Sequence, residues 1–148
     1  MSWADIPEWL RDLVGARDGE RCQYCRMSQR GQGARFHLDH IWPQCRGGPT
    51  EADNIVVACV NCSLRKASKV TGNDPETRLS TALFHPLRQQ WDDHFELRPD
   101  GHCVGLDAIG RATVDALGMN EPRPLVARAM QIQHGMLRPT VGTPPGEN

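Results

Sequence analysis

The chain has no long apolar run, almost no net charge and no apolar stretch at its start, and each absence narrows what it does. At 148 residues with 39% hydrophobic content, it contains no segment near the roughly 18 apolar residues that cross a bilayer, so no membrane span is expected. A formal charge of -1 argues against a uniformly basic nucleic-acid binder, which needs a broad electropositive footprint. The opening Met1-Ser2-Trp3-Ala4-Asp5 lacks the apolar core of a secretory signal. A cytoplasmic setting is therefore expected, one in which disulfides are rare. The length supports one modest core, which a metal clip would help to stabilise.

What is present is concentrated in one segment. Cys22-Gln23-Tyr24-Cys25 and Cys59-Val60-Asn61-Cys62 are two C-x-x-C pairs separated by thirty-three residues. Four thiolates at this spacing suit one tetrahedral Zn²⁺. The alternatives, a disulfide pair or four buried thiols, fit the cytosolic-looking start less well. Cys45 and Cys103 stand outside the spacing and read as free thiols. Residues 20–70 hold eight Arg and Lys against four Asp and Glu, whereas residues 71–148 hold seven against ten. Any phosphate-binding surface is thus expected within the cysteine-bracketed part.

Periodicity places a helix at about residues 7–17, opened by Pro7 and striped by Leu10, Leu13 and Val14. Residues 36–42 read as a strand running into Pro43, and Gly47-Gly48-Pro49 as a turn or long hairpin loop. Ile55-Val56-Val57-Ala58 reads as a second strand, and the good helix formers from Cys62 to Lys69 predict a helix starting inside or just after the second knuckle. Residues 73–104 carry Pro75, Pro86 and Pro99 and are expected to wrap over the core with one or two short strands. Leu106, Ile109, Thr113, Ala116 and Leu117 predict one helical face. Leu125, Ala129 and Ile132 predict another, on a helix opening near Pro122. The expected organisation is an N-terminal helix over 1–19, a core over 20–72, an extension over 73–137 and a disordered tail over 138–148.

In this order the residues resemble the zinc-knuckle HNH endonucleases. The pattern comprises the first C-x-x-C, Asp39-His40-Ile41-Trp42-Pro43, Arg46-Gly47-Gly48, Asn54, the second C-x-x-C and Lys66. Downstream, Asp74-Pro75, Leu83-Phe84-His85-Pro86, Trp91 through Phe95, and Gly105 through Val114 are similar to a bacterial and phage subgroup. The resemblance implies an α+β fold with a small zinc-stabilised ββα-metal core, and a metal-dependent endonuclease acting on DNA. It implies Cys22, Cys25, Cys59 and Cys62 as ligands of a structural Zn²⁺, distinct from a catalytic divalent ion.

The chemistry of the residues agrees with that implication. Phosphodiester hydrolysis needs a water, a group to take its proton and a cation to neutralise developing charge. His40 suits the base, since an imidazole accepts a proton near neutral pH. Asp39 offers the hard oxygen that Mg²⁺ or Mn²⁺ prefers, with Ni²⁺ a further candidate. By family analogy Asn54 orients His40, its amide oxygen accepting from a ring nitrogen. Arg65, Lys66 and Arg35 are expected to reach phosphate oxygens. His37 alternates with Asp39 along the strand and is expected on the same face. Ser63 is a departure: the family usually places His or Asn there as the second protein ligand of the catalytic metal, and a neutral hydroxyl binds Mg²⁺ poorly. The alternative reading is a zinc-stabilised binding module, for nucleic acid or protein, with an impaired metal site.

Overall fold

The computed structural model describes residues 5–142. Helix α1 spans Glu8–Asp18, after Pro7 and before Gly19, whose φ of 62° ends the helix in the left-handed conformation. Leu10, Val14 and Asp18 are its buried residues, an i, i+4, i+8 stripe. Leu13, expected in that stripe, is exposed. Asp18 is buried because it has work at the strand behind it: its Oδ2 accepts from Val57 N at 2.9 Å. The helix therefore docks on the second strand, while Gln23 N, in the first knuckle, donates to Val57 O at 2.9 Å.

Strand β1 (His37–His40) pairs antiparallel with β2 (Ile55–Ala58), placing His37 opposite Ala58 and His40 opposite Ile55. All four residues of β2 are buried, which explains a continuous aliphatic run where a half-exposed strand would alternate. Helix α2 (Val60–Lys66) follows at once, with Cys59 as N-cap and its sulfur accepting from Cys62 N. Two strands and a helix thus form a compact unit that carries the second cysteine pair and the Asp-His dipeptide, with the first pair in the turn that precedes β1. The loop between the strands is drawn tight at Gly48, where a side-chain carbon would collide with the backbone of Trp42 and Pro43.

The extension is more regular than its prolines suggest. It comprises a hairpin of β3 (Thr71–Asn73) and β4 (Ser80–Ala82), the short α3 (Trp91–His94) and a second hairpin of β5 (Phe95–Leu97) and β6 (Cys103–Gly105). Helices α4 (Ala108–Ala116) and α5 (Pro122–Gln133) complete it. Gly110 sits where α4 crosses the chain at His94 O, too close for any side chain. Arg111 clamps Asp74 with two bonds of 2.9 and 2.8 Å, fixing α4 to the turn after β3. Two anchors tie the extension to the first knuckle: Trp91 Nε1 donates to Tyr24 O at 2.8 Å, and Gln131 brackets Ser28 through N and O at 2.8 and 2.7 Å.

The inward face of α5 differs from the expected one. Its buried residues are Pro124, Arg128, Gln131 and Ile132, so only Ile132 is shared with the apolar stripe. Polar side chains occupy that face because each finds backbone partners, as described below. Within the segment 138–148 expected as a disordered tail, Thr140 Oγ1 accepts from Leu97 N at 2.7 Å. Residues 143–148 lie outside the described residues. Among the described residues no helix is long and apolar enough to cross a membrane. The fold is α+β, with small antiparallel strand pairs and helices around one apolar core.

Candidate metal centre and adjoining cleft

The two knuckles converge. The sulfurs of Cys22, Cys25, Cys59 and Cys62 lie within 4.8 Å of one another and all four residues are buried. Cys25 and Cys59 sulfurs are 3.7 Å apart, far beyond the roughly 2.05 Å of a disulfide. It is close to the separation of about 3.8 Å that a tetrahedron with metal–sulfur bonds of roughly 2.3 Å requires. In each knuckle the second cysteine's amide donates to the first cysteine's sulfur at 3.4 Å, a turn that aims both sulfurs at one point. The donor set and its geometry fit a divalent ion such as Zn²⁺. Cys45 and Cys103 are free thiols. Burial pushes the Cys103 thiol up to about 12, so it remains protonated beside the cluster.

On the other side of the strand pair, Asp39, His40, Gln44, Ser63 and Ser68 help line a cavity of about 330 Å³. Asp39 is nearly buried, and its Oδ2 accepts from Tyr24 Oη at 3.0 Å and pairs with Lys66 Nζ at 3.1 Å. Burial raises the carboxyl pKa, and Lys66 and Tyr24 oppose that shift. Asp39 is thereby held at the edge of the cavity it helps to line. Burial, followed by the neighbouring Asp39, holds the Tyr24 hydroxyl well above its ordinary pKa, so it stays a donor. The first knuckle thereby reaches from the cysteine cluster to the carboxylate of the cleft.

His40 is half-buried, and its Nε2 lies 3.0 Å from Thr50 Oγ1. When Nε2 carries the proton and donates to Thr50, Nδ1 is left as the basic nitrogen. Burial is the main cause lowering the His40 pKa, with Lys66 adding to it, so the neutral ring persists below the usual histidine range. Ser63 Oγ, across the cleft on α2, lies 3.0 Å from His37 Nδ1. The strand alternation that groups His37 with Asp39 thus brings His37 to the side chain standing at the departure from the pattern.

Two expected contacts are different in the structure. Asn54 does not touch the His40 ring: its Oδ1 accepts from Trp42 N, and its Nδ2 donates to Trp42 O and Pro49 O, each at 2.9 Å. The amide is committed to closing the loop that delivers Thr50 to His40. Lys66 is not on a phosphate-facing surface: at 2% exposure it points from α2 into the strand pair, where its Nζ also donates to His40 O at 3.0 Å. The spacing explains this, because Lys66 follows the buried Cys62 by four residues and shares its face. Arg65, on the opposite face, is exposed and lies 3.5 Å from Glu121. Arg35 is exposed in the segment before β1.

Thr50 and Tyr24 went unnoticed in the sequence. Thr50 carries only a positional hint, closing the Gly-Gly-Pro loop four residues before Asn54. Tyr24 lies between two ligand cysteines, a place where a large side chain must be buried once both sulfurs turn inward. No curated protein and no solved structure gives a significant match to the chain. The family model described as HNH endonuclease does match, over residues 22–69; the segment that carries both the cysteine cluster and the cleft is therefore an HNH domain, of nuclease type.

Proposed function

We propose that the protein is a metal-dependent endonuclease that hydrolyses DNA phosphodiester bonds in the cleft between β1 and α2. One observation carries the reading: His40, Asp39 and Ser63 line one cavity, with the His40 ring held by Thr50 through Nε2. His40 Nδ1 takes a proton from the attacking water, whose oxygen forms the new bond to phosphorus as the bond to the leaving alkoxide breaks. Asp39, and Ser63 directly or through water, would hold a catalytic Mg²⁺ or Mn²⁺, which when bound would neutralise charge on the phosphate and on the leaving oxygen. Asn54 is a positioning residue that acts through the loop and Thr50. Arg65 and Arg35 supply exposed positive charge for the DNA backbone. The four cysteines hold a structural Zn²⁺ that takes no part in the reaction.

A second reading, a zinc-stabilised binding module without catalysis, is favoured by one feature. Lys66 already neutralises part of Asp39 at 3.1 Å, and Ser63 adds no charge to attract a cation. Supercoiled plasmid incubated with Mg²⁺, Mn²⁺ or Ni²⁺ separates the two. The wild type is expected to nick it, and His40→Ala to lose roughly 10²–10⁴-fold in rate, the usual contribution of a general base. Because the His40 pKa is lowered and the base must be neutral, the rate should fall with acidity only below about pH 6.5, the unperturbed value. No cleavage by either protein with any of the metals, or equal cleavage by both, would give the answer to the binding module.

A further inference from the structure

Arg128 is wholly buried at 0% exposure and is the largest such side chain among the described residues. Its partners are all neutral: Nε donates to Gly101 O at 2.9 Å, and Nη2 donates to Met119 O at 2.6 Å and Asn120 Oδ1 at 3.2 Å. Its Nη1 is buried with no hydrogen-bond partner. Among the described residues no carboxylate pairs with it. A full charge taken out of water without a counter-charge is strongly unfavourable, so something else on the inside of the fold must supply the anion.

The network around Arg128 leads to that anion. Asn120, which accepts from Arg128, also accepts from Cys103 N at 2.9 Å and donates to Cys103 O at 2.8 Å. Cys103 Sγ lies 3.7 Å from Cys25 O. The guanidinium is thus linked through Asn120 and Cys103 to the first knuckle, and burial, which works against its charge, is outweighed chiefly by attraction from Cys25, one of the four clustered cysteines. Four thiolates around one divalent cation carry a net charge of about -2 in a water-excluded site.

We propose that Arg128 is the counter-charge of the four-cysteine metal site, so that metal occupancy and the docking of α5 on the first knuckle are one coupled event. With the metal bound, the cationic face of α5 meets an anionic cluster. With the metal removed and the cluster no longer held together, Arg128 is an uncompensated buried charge, and α5 is released with the Gln131–Ser28 brackets beside it. The inference concerns the structural metal only and holds whether or not the cleft cleaves DNA.

The test uses the full chain loaded with zinc and a chromophoric chelator as competitor. Arg128→Met, which removes the charge while keeping an apolar side chain, is expected to lose about 10–100-fold in zinc affinity, the range for removing a partner outside the ligand set. Arg128→Lys, which keeps the charge, should lose far less. A role confined to fastening the Gly101, Met119 and Asn120 carbonyls predicts the reverse: equal loss in both variants, or zinc affinity within about twofold of wild type in a folded Arg128→Met, and either result overturns the proposal. Hydrogen exchange on the unsubstituted protein covers the case in which Arg128→Met fails to fold. Stepwise zinc removal should expose the amides of 122–133 together with those of the knuckle, and protection of α5 that survives in metal-free protein also overturns it.

Discussion

Cys62 and Ser63 are neighbours on α2, yet Cys62 is fully buried with three other thiols while Ser63 looks into a polar cavity. The two sides of this short helix differ in ligand chemistry, solvent access and saturation. On the cysteine side four soft donors complete a tetrahedron and leave no position open, which is the form of a structural site. On the cleft side a carboxylate, a hydroxyl and an imidazole line one cavity, a set that leaves room for water and substrate. Two side chains cross between the two. Tyr24 belongs to a knuckle and bonds Asp39. Lys66 shares the Cys62 face and bonds both Asp39 and His40 O. The difference teaches that the closed site is the frame on which the open one is positioned, so damage to the frame should reach the cleft while damage to the cleft should leave the frame intact.

The largest expected effect comes from breaking the frame. Chelating the metal, or replacing Cys59 with Ser, should unfold the strand pair and α2 together, because binding energy at such a site is folding energy. Circular dichroism and thermal melting with and without chelator check it. An unchanged melting temperature in metal-free protein would show that the apolar core alone holds β1 against α2, and the division of labour drawn above would fail.

Next in size is Lys66→Met. It leaves Asp39 buried without its ammonium partner, and breaking a buried pair from one side costs about 3–5 kcal/mol. Urea unfolding measures the loss. Adding Asp39→Asn to the same protein should recover much of it, since the remaining group is then neutral. A loss below about 1 kcal/mol, the range of a surface pair, would mean that the ammonium and carboxylate are hydrated in solution.

Much of this arrangement was legible from the order of residues. The cysteine spacing announced the closed site, the aliphatic run 55–58 announced β2, and the Asp-His dipeptide before Pro43 marked the cleft. What escaped were polar residues whose roles depend on burial. Lys66 read as a phosphate contact because lysine on a short helix is usually solvated, although its four-residue offset from Cys62 already put it on the inner face. Arg128 was invisible for the same reason: an apolar stripe through Leu125 and Ala129 looks sufficient until the acceptors Gly101 O and Met119 O, which arrive from distant turns, are in place. Asn54 was recognised, but its partner was misjudged, since the sequence gives no sign that a tight loop at Gly48 would bring Trp42 and Pro49 within reach of one amide.

The smallest expected effect sharpens the open side of the comparison. Ser63 stands where the HNH resemblance expects a stronger ligand, and its hydroxyl is tied to His37 at 3.0 Å. Replacing it with asparagine supplies a carbonyl oxygen, a better donor for a hard cation than a hydroxyl. If the cleft holds the catalytic ion, Ser63→Asn should lower the Mg²⁺ concentration for half-maximal plasmid nicking by about tenfold, a modest change of the size expected from altering one oxygen ligand. Zinc content should stay at the wild-type value, because Cys62 precedes the change and its sulfur faces the other way. A Mg²⁺ titration identical to wild type would remove Ser63 from the metal's surroundings and leave Asp39 as the sole protein ligand. A fall in zinc content would show that the two sides of α2 are not separable, since a substitution meant for the open site would then have disturbed the closed one.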